Sequence, residues 1–192
     1  GIFNAINTTY KFLTNKELSG STIAISGIGK VGSKLSRLLF EKKANLIVSN
    51  IGRDPIDQLK HEKISFMESD INSIFEQECD IISPCALGRA INSETKKKLK
   101  CKAIVGAANN QLDKSETAEW LRENNIFYAP DYLVNSGGVI AISCEINNSE
   151  DTLDDQLNKI SDKVLLLLKE SKKSSLSTDK IVEDLAWKRI NI

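Results

Sequence analysis

Two patterns alternate along the chain. Short runs rich in apolar and β-branched residues recur at Thr22–Ser26, Asn45–Ser49, Ile64–Met67, Asp80–Ser83, Ala103–Gly106 and Ile126–Tyr128, and each predicts a strand. Between most of them apolar residues return at helical spacing, as at Leu35, Leu38 and Leu39 or over Leu112 to Arg122. Several strands are almost wholly apolar, as a parallel sheet covered by helices on both faces requires. Strand, helix, strand in repetition predicts an α/β fold with a doubly wound, mostly parallel sheet. Ahead of the first strand, Ile2, Phe3, Ile6, Tyr10 and Leu13 share one helical face with no capping residue before them. After Glu150 the alternation stops. Two amphipathic helices are predicted there, "DTLDDQLNKISDKVLLLLKES" and "STDKIVEDLAWKRI", the second capped by Ser177 or Thr178, with a solvated "KESKKSS" between them.

Composition narrows this little. The 192 residues suit one domain with an appendage, and 26 basic against 26 acidic side chains favour neither nucleic acid nor an anionic membrane as partner. No apolar run approaches the roughly 18 residues of a spanning helix, and the first residues lack a signal-peptide pattern. Cys79, Cys85, Cys101 and Cys144 contain no C-x-x-C pair and read as reduced thiols of a cytoplasmic protein. The chain opens at Gly1, already inside a helical pattern, which reads as a piece of a longer protein.

Chemistry enters at Gly27-Ile28-Gly29-Lys30-Val31-Gly32, a G-x-G-x-x-G that follows a predicted strand and opens a predicted helix. In that setting Gly27 makes the tight turn, Gly29 lets a pyrophosphate approach the backbone, and Gly32 lets helix pack on strand. The helix N-terminus adds free N–H groups and partial positive charge. These features predict a Rossmann dinucleotide-binding domain over residues 1–150, opened by the N-terminal helix, with the helices of 151–192 packing on it. About 20 residues past the loop, where such folds place an acid that grips the adenine ribose, stands Asn50. Its amide can bond to a hydroxyl but repels no 2′-phosphate. Arg53 either offers such a phosphate a fork or is a solvated loop residue, while Asp54 and Asp57 stand near enough to neutralise it or to replace the missing acid.

Three further stretches each follow a predicted strand and so fall at the carboxyl edge of the sheet: "SPCALGRAIN" (83–92), "VGAANNQL" (105–112) and "YAPDYLVNSGGVI" (128–140). Asn109, Asn110 and Asn135 bring donors and acceptors there, suited to a carboxamide and a carboxylate. Other candidates read as structure. His61 lies in the charged "LKHEK" as an exposed loop residue, and a lone histidine makes no metal site. Cys85 reads as a small buried residue, and Lys96, Lys97, Lys98 and Lys100 as the solvated face of a short helix.

"GIGKVGSKL", "DIISPCALGRAINSET", "AIVGAANNQL" and "YAPDYLVNSGGVI" together resemble the cofactor-binding, C-terminal domain of the glutamate/leucine/phenylalanine/valine dehydrogenases, nearest the leucine dehydrogenase branch. The resemblance extends to "EDLAWKRI" and implies oxidative deamination of an L-amino acid, branched-chain or aromatic, to its 2-oxo acid. It implies that Gly27 to Gly32 hold the pyrophosphate and that Cys85, Ala86 and Leu87 line the ribose and nicotinamide. Ala107 would join the cofactor-binding residues, Asn109 would sit by the nicotinamide, and Asn135 would reach the substrate. It implies NAD as cofactor, with NADP admitted by Asn50 and Arg53, and a homo-oligomeric parent enzyme. The family's substrate domain, with its catalytic lysine and aspartate, has no counterpart in this sequence, so the chain alone is expected to be inactive and no catalytic residue is assigned. Leu157, Ile160 and Val164 are either part of a side-chain pocket or core. A non-catalytic dinucleotide-binding or assembly module that has lost ribose selectivity is the alternative.

Overall fold

The computed structural model of the chain describes residues 1–147 and 152–190. Its strands are β1 (Thr22–Ser26), β2 (Asn45–Ser49), β3 (Met67–Glu68), β4 (Ile81–Pro84), β5 (Ala103–Ile104) and β6 (Phe127–Tyr128). They form one parallel sheet in the order β3-β2-β1-β4-β5-β6. The chain builds outward from β1 to β3, then returns to lay β4 on the other side of β1. That reversal leaves a crevice beyond Ser26 and Pro84, which are register partners at the carboxyl ends of β1 and β4.

The helices are α1 (Ile2–Thr14), α2 (Lys30–Glu41), α3 (Asp54–His61), α4 (Ser115–Glu123), α5 (Asp131–Val134), α6 (Gly137–Ile146), α7 (Leu153–Ser171) and α8 (Thr178–Ile190), with 3₁₀ turns at Ile74–Glu76 and Thr95–Lys98. Alternate strand residues feed two cores. Ile23, Ile25, Leu46, Val48, Ile81 and Phe127 join Leu35 and Leu39 of α2, Ile56 and Leu59 of α3, and Ile6 of α1 on one face. Ala24, Ile47, Ile82, Ile104 and Tyr128 join Ile74, Phe75 and Leu121 on the other. Both faces are therefore buried, which is why the strands read as unbroken apolar runs rather than as an alternation. Ile160, Val164, Leu167 and Leu168 of α7 enter the first core against α1. Ile160 and Val164 are thus core.

Several expected bounds move. The third strand begins at Met67 instead of Ile64, because Ile64 closes α3 through its N–H to the Leu59 carbonyl (3.1 Å) and plugs the core. "DPIDQLKH" is helix rather than loop, so His61 is the exposed last residue of α3. The fourth helix starts at Ser115 instead of Leu112, which instead bridges to Ile91. Ser177 stands at the N-cap position of α8, with its hydroxyl turned to another helix. That hydroxyl donates to Glu119 of α4 (2.9 Å), while the Ser177 carbonyl accepts from Ile181 (3.0 Å). The division expected between residues 150 and 151 lies outside the described residues. Among the described residues no helix is long and apolar enough to cross a membrane.

Candidate functional site

At the end of β1 the chain turns through Gly27, whose φ of 101° only glycine adopts with ease. Its N–H donates to the Ser49 carbonyl at 2.8 Å, which ties the turn to β2. A Cβ on Gly27 would lie 2.5 Å from that of Ala86, so the loop after β4 sits directly against it. Gly32, in the first turn of α2, lies so close that a Cβ would fall 2.0 Å from the Gly27 carbonyl oxygen. Gly29 differs. It caps α2 without a side-chain hydrogen bond, has ordinary extended torsions (φ −77°), and a Cβ there would meet nothing within 4 Å. The protein's own packing gives no reason for glycine at 29, and the open space leaves the backbone at the start of α2 accessible. Ile28 is buried beneath the loop, while Lys30 and Val31 are exposed on the opening turn of α2.

Asn50 leaves the end of β2 with its amide engaged at both ends. Oδ1 accepts the Ile28 N–H at 2.9 Å, and Nδ2 donates to the Gly52 carbonyl at 2.8 Å. Reversing the amide would set donor against donor and acceptor against acceptor, so the orientation is fixed. Asn50 therefore braces the glycine loop. Arg53 is committed as well, its guanidinium meeting Glu68 directly and Asp57 at 3.3 Å.

On the other side of the crevice, the loops after β4, β5 and β6 form one assembly. Arg89 N–H donates to the Asn110 carbonyl (2.6 Å), Ile91 N–H to Gln111 (3.0 Å) and Ala108 N–H to Pro84 (2.9 Å). A Cβ on Gly106 would fall 2.3 Å from the Pro84 oxygen, and one on Gly88 2.6 Å from that of Asn109. Buried Gln111 donates to the Gly106 and Ala108 carbonyls at 2.8 and 3.0 Å, bracing the turn that presents half-buried Ala107 and exposed Asn109. Asp131 accepts the Tyr128 hydroxyl and the Asn110 N–H, both at 2.9 Å. Burial first, then the Asp131 carboxylate, pushes the Tyr128 phenol far up, so it stays a neutral donor. At the tip, Asn135 donates to Asn109 Oδ1 at 2.7 Å. Sequence reasoning named Asn109 and Asn135 but missed Gln111, Tyr128 and Asp131 as their supports. The signal was the same "NNQL" and "YAPDY" that carried the resemblance.

Cys85 donates its N–H to Ser26 (2.7 Å), and its thiol, 3.5 Å from Ser83 Oγ, is pushed up by burial, so it is no nucleophile at neutral pH. Ala86 and Leu87 are exposed beyond it, Leu87 at 71%. Ser26, Gly27, Asn50, Ile51, Phe75, Ala86 and Leu87 border a cleft of about 460 Å³ across the strand-order reversal. A second hollow, of about 320 Å³, is bordered by Val31, Lys34, Asn135, Gly137, Gly138 and Leu157. Leu157 thus reaches the surface near Asn135, unlike Ile160 and Val164. No group of histidine, cysteine or carboxylate side chains suited to a metal occurs among the described residues. Of the basic cluster, Lys97, Lys98 and Lys100 are exposed, Lys98 pairing with Glu76 at 2.8 Å, whereas Lys96 is half-buried with its ammonium 5.4 Å over the Trp120 ring, and Lys100 lies beyond the 3₁₀ turn.

Residues 48–181 match the model of the Glutamate/Leucine/Phenylalanine/Valine dehydrogenase family. A phenylalanine dehydrogenase of Thermoactinomyces intermedius is 35% identical over 195 residues, covering 99% of this chain and 53% of that protein. A leucine dehydrogenase of Bacillus subtilis (strain 168) is 46% identical over 129 residues, covering 67% of this chain and 35% of that protein. The crystal structure of L-tryptophan dehydrogenase from Nostoc punctiforme superposes with a TM-score of 0.94 at 31% identity, over 99% of this chain and 57% of that one. The hetero-hexameric glutamate dehydrogenase of Thermus thermophilus, at 16% identity and a TM-score of 0.71, shares the fold over 93% of this chain and 48% of its own. The chain spans about half the length, or less, of the curated relatives it matches. On sequence and fold together, the chain belongs to the glutamate/leucine/phenylalanine/valine dehydrogenase family.

Proposed function

We propose that this chain is the cofactor-binding part of an L-amino-acid dehydrogenase that interconverts a branched-chain or aromatic amino acid and its 2-oxo acid, with NAD as the working cofactor. The observation that carries the cofactor assignment is Gly29, a glycine with open space on its Cβ side at the N-terminus of α2, where no side chain takes the first N–H groups. Pyrophosphate oxygens fit that space and the partial positive charge behind it. The 460 Å³ cleft beside it takes the adenosine half, with Ile51 and Phe75 as apolar walls. When bound, the nicotinamide supplies the redox capacity.

What the chain's own residues contribute is orientation. Asn109 and Asn135 are coupled by one hydrogen bond, which leaves Asn135 Oδ1 as an acceptor and its second amide hydrogen as a donor. An amino acid presents the complement, an ammonium donor and a carboxylate acceptor. Asn135 thus binds the part common to all the substrates, and the Leu157 hollow contributes to side-chain selection. Proton transfer falls to the lysine and aspartate that the family resemblance places outside this sequence.

The test has two parts. The 192-residue chain, titrated with NAD in a calorimeter, should bind it but turn over no leucine, phenylalanine or glutamate. In the parent enzyme Asn135→Ala should lower kcat/KM for every substrate alike. Turnover by the chain alone would place the proton-transfer groups here, and a loss confined to one amino acid would assign Asn135 to side-chain selection.

A further inference from the structure

The absence of an acid at position 50 leaves open what keeps a 2′-phosphate out. We infer that Glu68, at the end of β3, sets the choice between NAD and NADP by holding Arg53 in an ion pair. The inference rests on the proposed reading that the adenine ribose lies beside Asn50.

Four charges close on one another at this corner. Arg53, the residue that caps α3, meets Glu68 through Nη1 and Asp57 through Nε at 3.3 Å. The other Glu68 oxygen accepts from Lys60 at 3.2 Å. Two cations thus face two anions, and Arg53 has a carboxylate on two of its three guanidinium nitrogens, Nη1 and Nε. The hydrogen bond from Lys60 and the charge of Arg53 hold the Glu68 carboxyl below its usual range, so it is ionised at any working pH.

The register brings this cluster to the ribose corner. Glu68 pairs with Val48, and Ser69 N–H donates to the Val48 carbonyl at 2.8 Å. Asn50 lies two residues past Val48 and continues its face of the sheet. The adjoining cleft is bordered by Asn50 and Ile51 from the β2 side and by Ile71 and Asn72 from beyond β3. Arg53 follows Gly52, whose carbonyl holds the Asn50 amide.

A 2′-phosphate brings nearly two negative charges and needs a cation. To take the Nη1 position of Arg53 it must displace Glu68, which then stands as a bare carboxylate beside it. If Glu68 stays, the phosphate meets a neutralised pair. Both outcomes disfavour NADP, and neither involves the uncharged ribose hydroxyl of NAD. The chain therefore keeps the acid's electrostatic role but moves it from the end of β2 to the end of β3. Arg53 and Glu68 side chains are 58% and 38% exposed, so the effect is Coulombic, screened and modest, about tenfold at low salt. Removing the Glu68 charge leaves Arg53 and Lys60 against Asp57 alone.

The experiment is calorimetric titration of the 192-residue chain with NAD and NADP at low and high salt, each variant first shown to melt cooperatively. Glu68→Gln should raise the NADP-to-NAD affinity ratio about tenfold, with the gain shrinking in high salt, and adding Arg53→Ala should return the ratio to its starting value. Arg53→Ala in the wild-type background should move the ratio less than threefold, because Arg53 is already engaged, and this second variant leaves β3 intact. Both cofactors binding to Glu68→Gln with an unchanged ratio would overturn the inference and leave the dinucleotide reading standing. So would a tenfold loss of NADP affinity from Arg53→Ala alone. Binding of neither cofactor to the wild type would overturn that reading, and the inference with it.

Discussion

Two glycines of one loop, Gly29 and Gly32, should fail in opposite ways when replaced. A Cβ at Gly32 lands 2.0 Å from the Gly27 carbonyl oxygen and 3.0 Å from its carbon. Ordinary carbon–oxygen contacts lie at about 3.3 Å or beyond, so the two must part by more than an ångström. Neither can yield easily. Gly27 is tied to Ser49 by a 2.8 Å hydrogen bond and pressed on its other side by Ala86, and α2 is packed into the core through Leu35 and Leu39. Gly32→Ala should therefore cost about 3 kcal/mol, the upper end for overpacking, and lower the melting temperature by roughly 6–12 °C for a chain of this size. Gly29→Val meets open space and torsions that valine accepts. Its cost is the weaker helix cap, about 1 kcal/mol or less. Its methyl groups, however, occupy the approach to the first N–H groups of α2. Losing one charge-assisted hydrogen bond to a pyrophosphate is worth about 1.5–3 kcal/mol, or roughly tenfold to a hundredfold in affinity. Thermal unfolding followed by circular dichroism, with NAD titration of each variant, separates the two effects. A Gly29→Val protein that binds NAD as tightly as wild type would remove the phosphate from this loop, and a Gly32→Ala protein that melts with wild type would refute the packing argument.

Two further outcomes follow from hydrogen bonds that span elements. Tyr128→Phe removes only a hydroxyl and should cost about 1 kcal/mol, whereas Asp131→Ala leaves that buried hydroxyl and the Asn110 N–H without their acceptor and should cost about 2 kcal/mol, both read from urea unfolding. Glu119 joins α4 to α8 through Lys180 (2.8 Å) and Ser177 (2.9 Å), and the Lys180 bond, then those of Ser177 and Arg122, hold its carboxyl down to about 2 against an ordinary 4.5. Because the folded value is the lower one, this stabilisation is complete above about pH 4.5 and fades as pH falls towards 2. Discounted for screening at a partly exposed site it is about 1 kcal/mol, so Glu119→Gln should flatten the acid limb of the stability–pH curve by that amount, and an unchanged limb would mean the clasp contributes nothing.

How much of this was legible in the sequence depended on whether a residue's partner was near in sequence or far. The runs Thr22–Ser26 and Asn45–Ser49 carried their own signal, because each is an apolar stretch buried on both faces, and the structure keeps their bounds. Helix α3 was hidden because only Ile56 and Leu59 of its residues are buried, too few to show a period among so many charges. Ile64 looked like strand for the reason it looked apolar, yet its burial serves the end of α3. At the candidate site, the roles of single glycines followed from strand, turn and helix alone. The partners of Asn50 did not: its bonds to Ile28 and Gly52 depend on how far the end of β2 reaches past β1. Nor could spacing reveal that Arg53, close to Asp54 and Asp57 in sequence, is claimed by Glu68 across the whole of α3.

These contacts also divide the crevice mechanically. On the β4–β5–β6 side, backbone hydrogen bonds join the loops after β4 and β5, the Asp131 and Asn135 side chains tie in the loop after β6, and Gly88 and Gly106 press against the carbonyls of Asn109 and Pro84, so neither glycine can gain a side chain without moving a neighbouring strand's end. On the β2–β3 side the glycine turn is braced by Asn50, but the charged corner is held by exposed ion pairs between Arg53, Asp57, Lys60 and Glu68. Backbone contacts fix geometry to tenths of an ångström and tolerate almost no substitution. Exposed ion pairs contribute little to stability and can be exchanged singly at small cost. On the proposed reading, the rigid half orients Asn109 and Asn135 for the chemistry and the tunable half recognises the adenosine end. A change of cofactor preference could then arise at Glu68 without disturbing the residues that meet the substrate.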